Sequence, residues 1–184
     1  LKGSKKIILT WISIIIFLIL LFTVYNQMER KEQTEEKATA STELHPIVEE
    51  KKNALLDAAA DSNIELVITE EMRTIDSQNE LYEQGRSTGG NIVTYAKGGQ
   101  SYHNYGLAFD YALIDKHGEI IWDIHYDGNG NGKSDWFEVA DLAKELGFEW
   151  GGDWNSKDYP HLQMTFGRSI EQLQEGLLPD ENGN

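Results

Sequence analysis

His103 and Asp110 stand seven residues apart in Ser-Tyr-His-Asn-Tyr-Gly-Leu-Ala-Phe-Asp, and about fifty residues later Asp158 and His161 stand three apart in Asp-Tyr-Pro-His. Two imidazole nitrogens and one carboxylate oxygen suit Zn2+ and leave a tetrahedral position for water, which separates a catalytic zinc from a structural one. The second carboxylate is then left over as a base. Either histidine alone reads more simply as a hydrogen-bonded histidine, and Asp110 as a turn residue, but the combined pattern does not.

The flanking residues alternate as strands do. Leu107, Phe109, Tyr111 and Leu113 occupy one face, and period two puts Asp110 with Ala108 and Ala112 on the other, where small neighbours leave room for an ion. After Pro160, His161, Gln163 and Thr165 share a face opposite Leu162, Met164 and Phe166. Helical spacing is expected from Pro46 to Ala60, a strand over 64–68, and a helix from Thr74 to Gln84 capped by Thr74 or Asp76. A short strand at 120–122, a helix from Trp136 to Leu146 and a helical turn from Ile170 to Gln174 follow. Gly89-Gly90 and Gly98-Gly99 bound a loop before His103, where substrate would enter. Early helices and later strands predict an α+β fold whose small antiparallel sheet, flanked by helices, carries the zinc site.

Ser101-x-His103-x-x-Gly106-x-Ala108-x-Asp110, then Gly151-Gly152-Asp153-Trp154 and Asp158-x-Pro160-His161, resembles the zinc peptidases that include D-Ala-D-Ala carboxypeptidases and L-alanyl-D-glutamate endopeptidases. The resemblance is closest to the endopeptidase branch and spans about residues 44 to 175. It implies that His103, Asp110 and His161 bind zinc and that Asp158 is the general base. The stretch from Glu71 to Arg86 resembles the family's strand-to-helix segment, which gives Arg73 a catalytic role over the substrate carbonyl. An arginine beside zinc can stabilise an oxyanion. Without the resemblance, Arg73 reads as a surface residue pairing with Glu70 or Glu71. Gln78 is expected to bind substrate or position Arg73, and Trp154, with Trp150, to wall the groove. The implied reaction is metal-assisted hydrolysis of the L-Ala-D-Glu bond in peptidoglycan stem peptides. A D-Ala-D-Ala carboxypeptidase and a zinc-bearing wall-binding module without turnover are the alternatives.

A second constellation fits a twelve-residue calcium loop: Asp127, Asn129, Asn131, Lys133 through its carbonyl, Asp135 and Glu138, with Gly132 sixth. Two plainer readings stand beside Ca2+ binding. Asn-Gly pairs make tight turns unaided, and Asp135 with Glu138 could form a capping box.

At 184 residues with a net charge of −15, the chain has room for one core plus an appendage and lacks the positive charge needed to meet phosphates. A nucleic-acid partner is not expected. Cysteine is absent, which excludes disulfides and thiolate ligands. Residues 7–25 are an almost unbroken apolar run preceded by Lys2, Lys5 and Lys6. This predicts a cytoplasmic N-terminus at 1–6, a single transmembrane anchor at 7–25, a polar spacer at 26–43, the peptidase domain at 44–175 and a tail at 176–184. No Ala-x-Ala-like cleavage site follows the run. The expected protein is a monomer held in the cell membrane of a Gram-positive bacterium, its catalytic domain on the extracellular side facing peptidoglycan.

Overall fold

The computed structural model describes residues 11, 15–28 and 43–184, and the chain divides into two units, 1–37 and 38–184. In the first, residues 15–28 form helix α1, whose large apolar side chains are exposed. Among the described residues no helix is long and apolar enough to cross a membrane, and the expected span at 7–25 and the spacer at 26–43 lie partly outside them.

The second unit runs α2 (Pro46–Asp61), β1 (Leu66–Glu70), α3 (Ile75–Glu83), β2 (Ala108–Ile114), β3 (Ile120–Ile121), α4 (Asp135–Glu145), β4 (Glu149–Trp150), β5 (His161–Gln163) and α5 (Ile170–Gln174). Pro46 opens α2 where a missing N–H costs nothing, and the His45 ring accepts the Ile47 N–H at 3.3 Å. Val48, Leu55 and Ala59 bury one stripe of α2, as Trp136, Val139, Ala140 and Ala143 do on α4, and the two helices pack together. Lys52 falls within the α2 stripe and is tolerated there because Glu49 and Glu71 lie 2.7 and 2.5 Å from its ammonium.

The sheet is antiparallel throughout, ordered β1-β2-β5-β4, with β3 on β2. Its register separates core from site. Phe109 pairs with Leu162 and Leu162 with Trp150, so one row of large apolar residues crosses three strands towards the helices. The next rows point the other way: Asp110 faces His161, and Ala108 faces Gln163, which faces Glu149. Tyr111 meets Trp136 and Phe109 meets Phe148 at ring separations of 5.0 and 5.2 Å. The expected α+β architecture with a small antiparallel sheet and flanking helices is therefore present.

Several boundaries move. The strand expected over 64–68 begins at Leu66, because Ile64 is buried beyond the ladder at the end of α2. The alternation after Pro160 stops being a strand at Gln163, and Phe166 turns to φ 49°. Thr74, not Asp76, caps α3 by accepting the Ser77 N–H. Ser134 is the N-cap of α4 and makes no side-chain cap bond, so the alternative reading of Asp135 and Glu138 as a capping box is not realised.

Candidate active site

His103 lies on a 3-10 turn, Tyr102–Tyr105, that leads into β2. Ser101 opens this turn with a capping box and Gly106 closes it at φ 67°, where a Cβ would press on the Glu43 carbonyl at 2.6 Å. Asn104, wholly buried, binds the turn to its surroundings: its amide donates to the Arg73 carbonyl at 2.9 Å and its oxygen accepts the Gly99 N–H at 2.9 Å. The Arg73 N–H returns a bond to the His103 carbonyl at 3.0 Å. His103 and Arg73 are thus placed by one set of backbone bonds.

Three donor atoms from three segments converge. His103 Nε2 lies 3.1 Å from His161 Nδ1, and Asp110 Oδ1 is 3.2 Å from each. Among the described residues this is the one group of three His, Asp or Glu side chains whose ligand atoms all lie within 4.8 Å of one another, and it could hold a metal ion. The hydrogen bonds behind the ligands settle their protonation. His103 Nδ1 faces the Glu71 carbonyl at 2.6 Å, and an acceptor there requires Nδ1 to carry the hydrogen. Gln163 donates its Nε2 to Glu149 at 2.9 Å, which turns Oε1 to His161 Nε2 at 3.0 Å and makes that nitrogen the donor. Both inward nitrogens therefore present lone pairs to a carboxylate. Such a cluster calls for a cation, and ligand bonds of about 2.0–2.1 Å would put tetrahedral neighbours about 3.3 Å apart. The set fits zinc.

Without a cation the same three groups compete for protons. Burial opposes the Asp110 carboxylate, but hydrogen bonds and charge from His103 and His161 prevail and hold its pKa well below the usual range. Burial likewise disfavours a charged His161, yet Asp110, Gln163 and Asp158 together raise its pKa.

The cluster opens on a groove of about 770 Å³ lined also by Arg73, Tyr95, Trp154, Lys157 and Asp158. Asp158 reaches it through a tight turn: its N–H donates to the Gly151 carbonyl at 3.1 Å, and its own carbonyl accepts the His161 N–H at 3.3 Å. A Cβ at Gly151 would collide with the Asp158 carbonyl, so glycine is required there for close approach. Burial of its carboxyl raises the Asp158 pKa, with the charge of Asp110 adding to it against His161, His103 and Arg73. Trp154 is 37% exposed with its ring 5.1 Å from that of His161, so it walls the groove, whereas Trp150 is 3% exposed and belongs to the core.

Arg73 Nη1 donates to Gln78 Oε1 at 2.8 Å, and its Nη2 stands 3.6 Å from Glu70 and 3.8 Å from Asp110. Of the two partners expected from sequence it takes Glu70, while Glu71 is engaged by Lys52. The guanidinium has five donors, so capacity remains for a substrate oxygen. Gln78 cannot reach substrate: it is 0% exposed, with Nε2 donated to the Ala96 carbonyl at 2.8 Å. The expected substrate contact is corrected to a positioning one. Gln78→Met should cost roughly 10- to 100-fold in kcat through a misplaced Arg73. In an Arg73→Ala background the same change should cost almost nothing further, and additive losses in that cycle would refute the link. Sequence reasoning missed Asn104, Glu149 and the Glu71 carbonyl, and left Gln163 as a strand residue although its place two after His161 put it on the ligand face.

A metal centre of two histidines and an aspartate, beside a carboxylate and a guanidinium in an open groove, defines a hydrolytic metallopeptidase type of site. The peptidase M15 family described as D-alanyl-D-alanine carboxypeptidase matches residues 94–164. The chain is 64% identical over 124 residues to the peptidoglycan L-alanyl-D-glutamate endopeptidase CwlK of Bacillus subtilis, covering 67% of this chain and 74% of that protein. It is 33% identical over 113 residues to the L-alanyl-D-glutamate peptidase of Listeria phage A118, covering 61% of this chain and 34% of that protein. Among solved structures, the Serratia marcescens L-Ala D-Glu endopeptidase ChiX aligns at 26% identity and a TM-score of 0.47, covering 74% of this chain and 87% of that one. The chain belongs to this family of zinc metallopeptidases.

Proposed function

We propose that the protein hydrolyses the L-Ala-D-Glu bond of peptidoglycan stem peptides. The observation that carries the chemistry is the convergence of His103 Nε2, Asp110 Oδ1 and His161 Nδ1 in the groove that also holds Asp158 and Arg73. The choice of bond is supported by the kinship with L-alanyl-D-glutamate peptidases. His103, Asp110 and His161 would hold a zinc ion, which when bound would supply a Lewis acid for a water, lowering its pKa toward about 7, and for the carbonyl. Asp158 takes the proton from the attacking water and delivers it to the leaving amine. Arg73, steadied by Gln78, donates to the carbonyl oxygen as negative charge collects on it. Trp154 offers a flat apolar wall beside His161 against which the peptide lies.

The second reading, a carboxypeptidase acting on terminal D-Ala-D-Ala, is favoured by the description of the matching family. It needs a cation for the free carboxylate. Lys157 lines the groove, but its ammonium is held by the Gly152 carbonyl at 2.7 Å. Digesting purified peptidoglycan and identifying the new termini by mass spectrometry decides between them. Endopeptidase action frees the amino group of D-Glu; released D-Ala with no such terminus would replace the first reading by the second.

The N-terminal apolar run supports a retained anchor with the peptidase domain outside the cell. The full chain is then expected to stay with membranes through a high-salt wash. Recovery from the medium of a mature chain starting near residue 26 would remove the anchor.

A further inference from the structure

The geometry points to a calcium site in the loop of residues 127–138, sharing no ligand with the zinc cluster. Its ligands are side-chain oxygens of Asp127, Asn129, Asn131 and Glu138, the Lys133 carbonyl, and Asp135 directly or through water. The loop is wound about these oxygens. Asp127 accepts the N–H groups of Asn131 and Gly132 at 3.0 and 2.9 Å, Asn129 Oδ1 accepts Asn131 N–H at 3.1 Å, and Asn131 Oδ1 accepts Lys133 N–H at 2.9 Å. From the first turn of α4, Glu138 reaches back with both oxygens, one to Asn129 Nδ2 at 3.2 Å and one to Asn131 Nδ2 at 2.7 Å. Gly132, sixth in the loop, adopts φ 86°, which the sharp bend requires.

Winding alone would be satisfied by a glycine-rich turn. What such a turn does not explain is Asp135. This residue is 2% exposed; Oδ2 accepts the Gly128 N–H at 3.0 Å, while Oδ1 is buried with no hydrogen-bond partner. Burial, with the charges of Glu138 and Asp127, works against its ionised form. Among the described residues no Lys, Arg or His forms an ion pair with any of the three. A buried carboxylate oxygen left without a partner is destabilising, and a cation removes that cost. The donors are all oxygen, which selects a hard ion, and a flexible six- or seven-oxygen set suits Ca2+ better than octahedral Mg2+.

The loop joins two helices of the core layer. Asn129 Nδ2 donates to the Ser62 carbonyl at the end of α2 at 3.2 Å, and Asp135 N–H donates to Tyr126 at the start of α4 at 2.8 Å. Occupancy therefore acts on stability rather than on bond cleavage.

The test titrates the full-length, zinc-loaded protein with CaCl2, by calorimetry and by melting, and with Tb3+ excited through neighbouring Tyr126 and Trp136. One ion should bind per chain with a Kd on the order of 10⁻⁴–10⁻³ M. The melting temperature should rise by about 3–6 °C at ten times Kd, with Mg2+ much weaker. Glu138→Gln should weaken binding at least about tenfold, while its melting temperature without calcium stays near that of the parent. Asn131→Ala provides the same readout should Glu138→Gln fail to fold. His103→Ala should keep the whole calcium response, so a failure at zinc and a failure here are separable. The absence of any saturable response below about 10 mM, or a Glu138→Gln titration identical to the parent's, would overturn the site.

Discussion

Replacing His103 by Ala should strip the protein of stoichiometric zinc and reduce peptide hydrolysis to background. The expectation rests on the three converging lone-pair atoms: with one nitrogen gone, Asp110 and His161 remain as two ligands, too few to hold a catalytic ion. The variant should still fold, because among the described residues the Nδ1 bond to the Glu71 carbonyl is the one polar contact its side chain makes outside the cluster. Elemental analysis is the direct check, and full zinc content would sink the assignment. A weaker version of the experiment removes an outer partner. Gln163→Ala should loosen zinc by roughly 10- to 100-fold without abolishing it, since it releases the tautomer of His161 rather than the ligand.

Asp158→Ala should do the opposite, retaining zinc while turnover falls about 10²- to 10⁴-fold, the usual range for loss of a general acid or base. Asp158 lines the groove but is not among the three converging ligands, so its carboxylate is free for proton transfer. The pH profile gives the sign. A base works deprotonated, so kcat/KM should fall on the acid side as this carboxyl takes up a proton; burial and Asp110 raise its pKa and the zinc charge opposes them. A parent profile with no fall on the acid side, or undiminished turnover in the zinc-loaded variant, would take Asp158 out of the mechanism.

What could be read from the residues alone follows a physical division. The three converging side chains, and Asp158 in the groove beside them, were legible because side-chain type and spacing carry their chemistry, and period-two alternation put Asp110 and His161 on the faces they occupy. The capping of α3 by Thr74 was equally local. Illegible parts depend on backbone groups or on tertiary contacts. Glu71 acts through its carbonyl, which any residue has, and Asn104 joins segments about thirty positions apart. Gln78 was open to either substrate or Arg73 in sequence, and only the tertiary contacts of its amide, with Arg73 at one end and the Ala96 carbonyl at the other, decide between them. Ile64 was assigned to a strand because a buried apolar residue carries no sign of whether its backbone pairs.

The division of β2 into Phe109, Tyr111 and Leu113 on one side and Asp110 on the other sets a reading frame for the whole enzyme. Adding or deleting one residue within Ala108–Ile114 would exchange the two sides beyond that point. An insertion just before Phe109 would bring its phenyl ring opposite His161 and drive the Asp110 carboxylate into the place of Tyr111, against Trp136. Catalysis and folding would fail together, by the same half-turn of the chain. The turn at 115–119 carries no such constraint, and length changes there leave the phase of β2 intact. Point substitution can therefore tune this centre, whereas insertions and deletions in the homologous strand of any descendant must come in pairs.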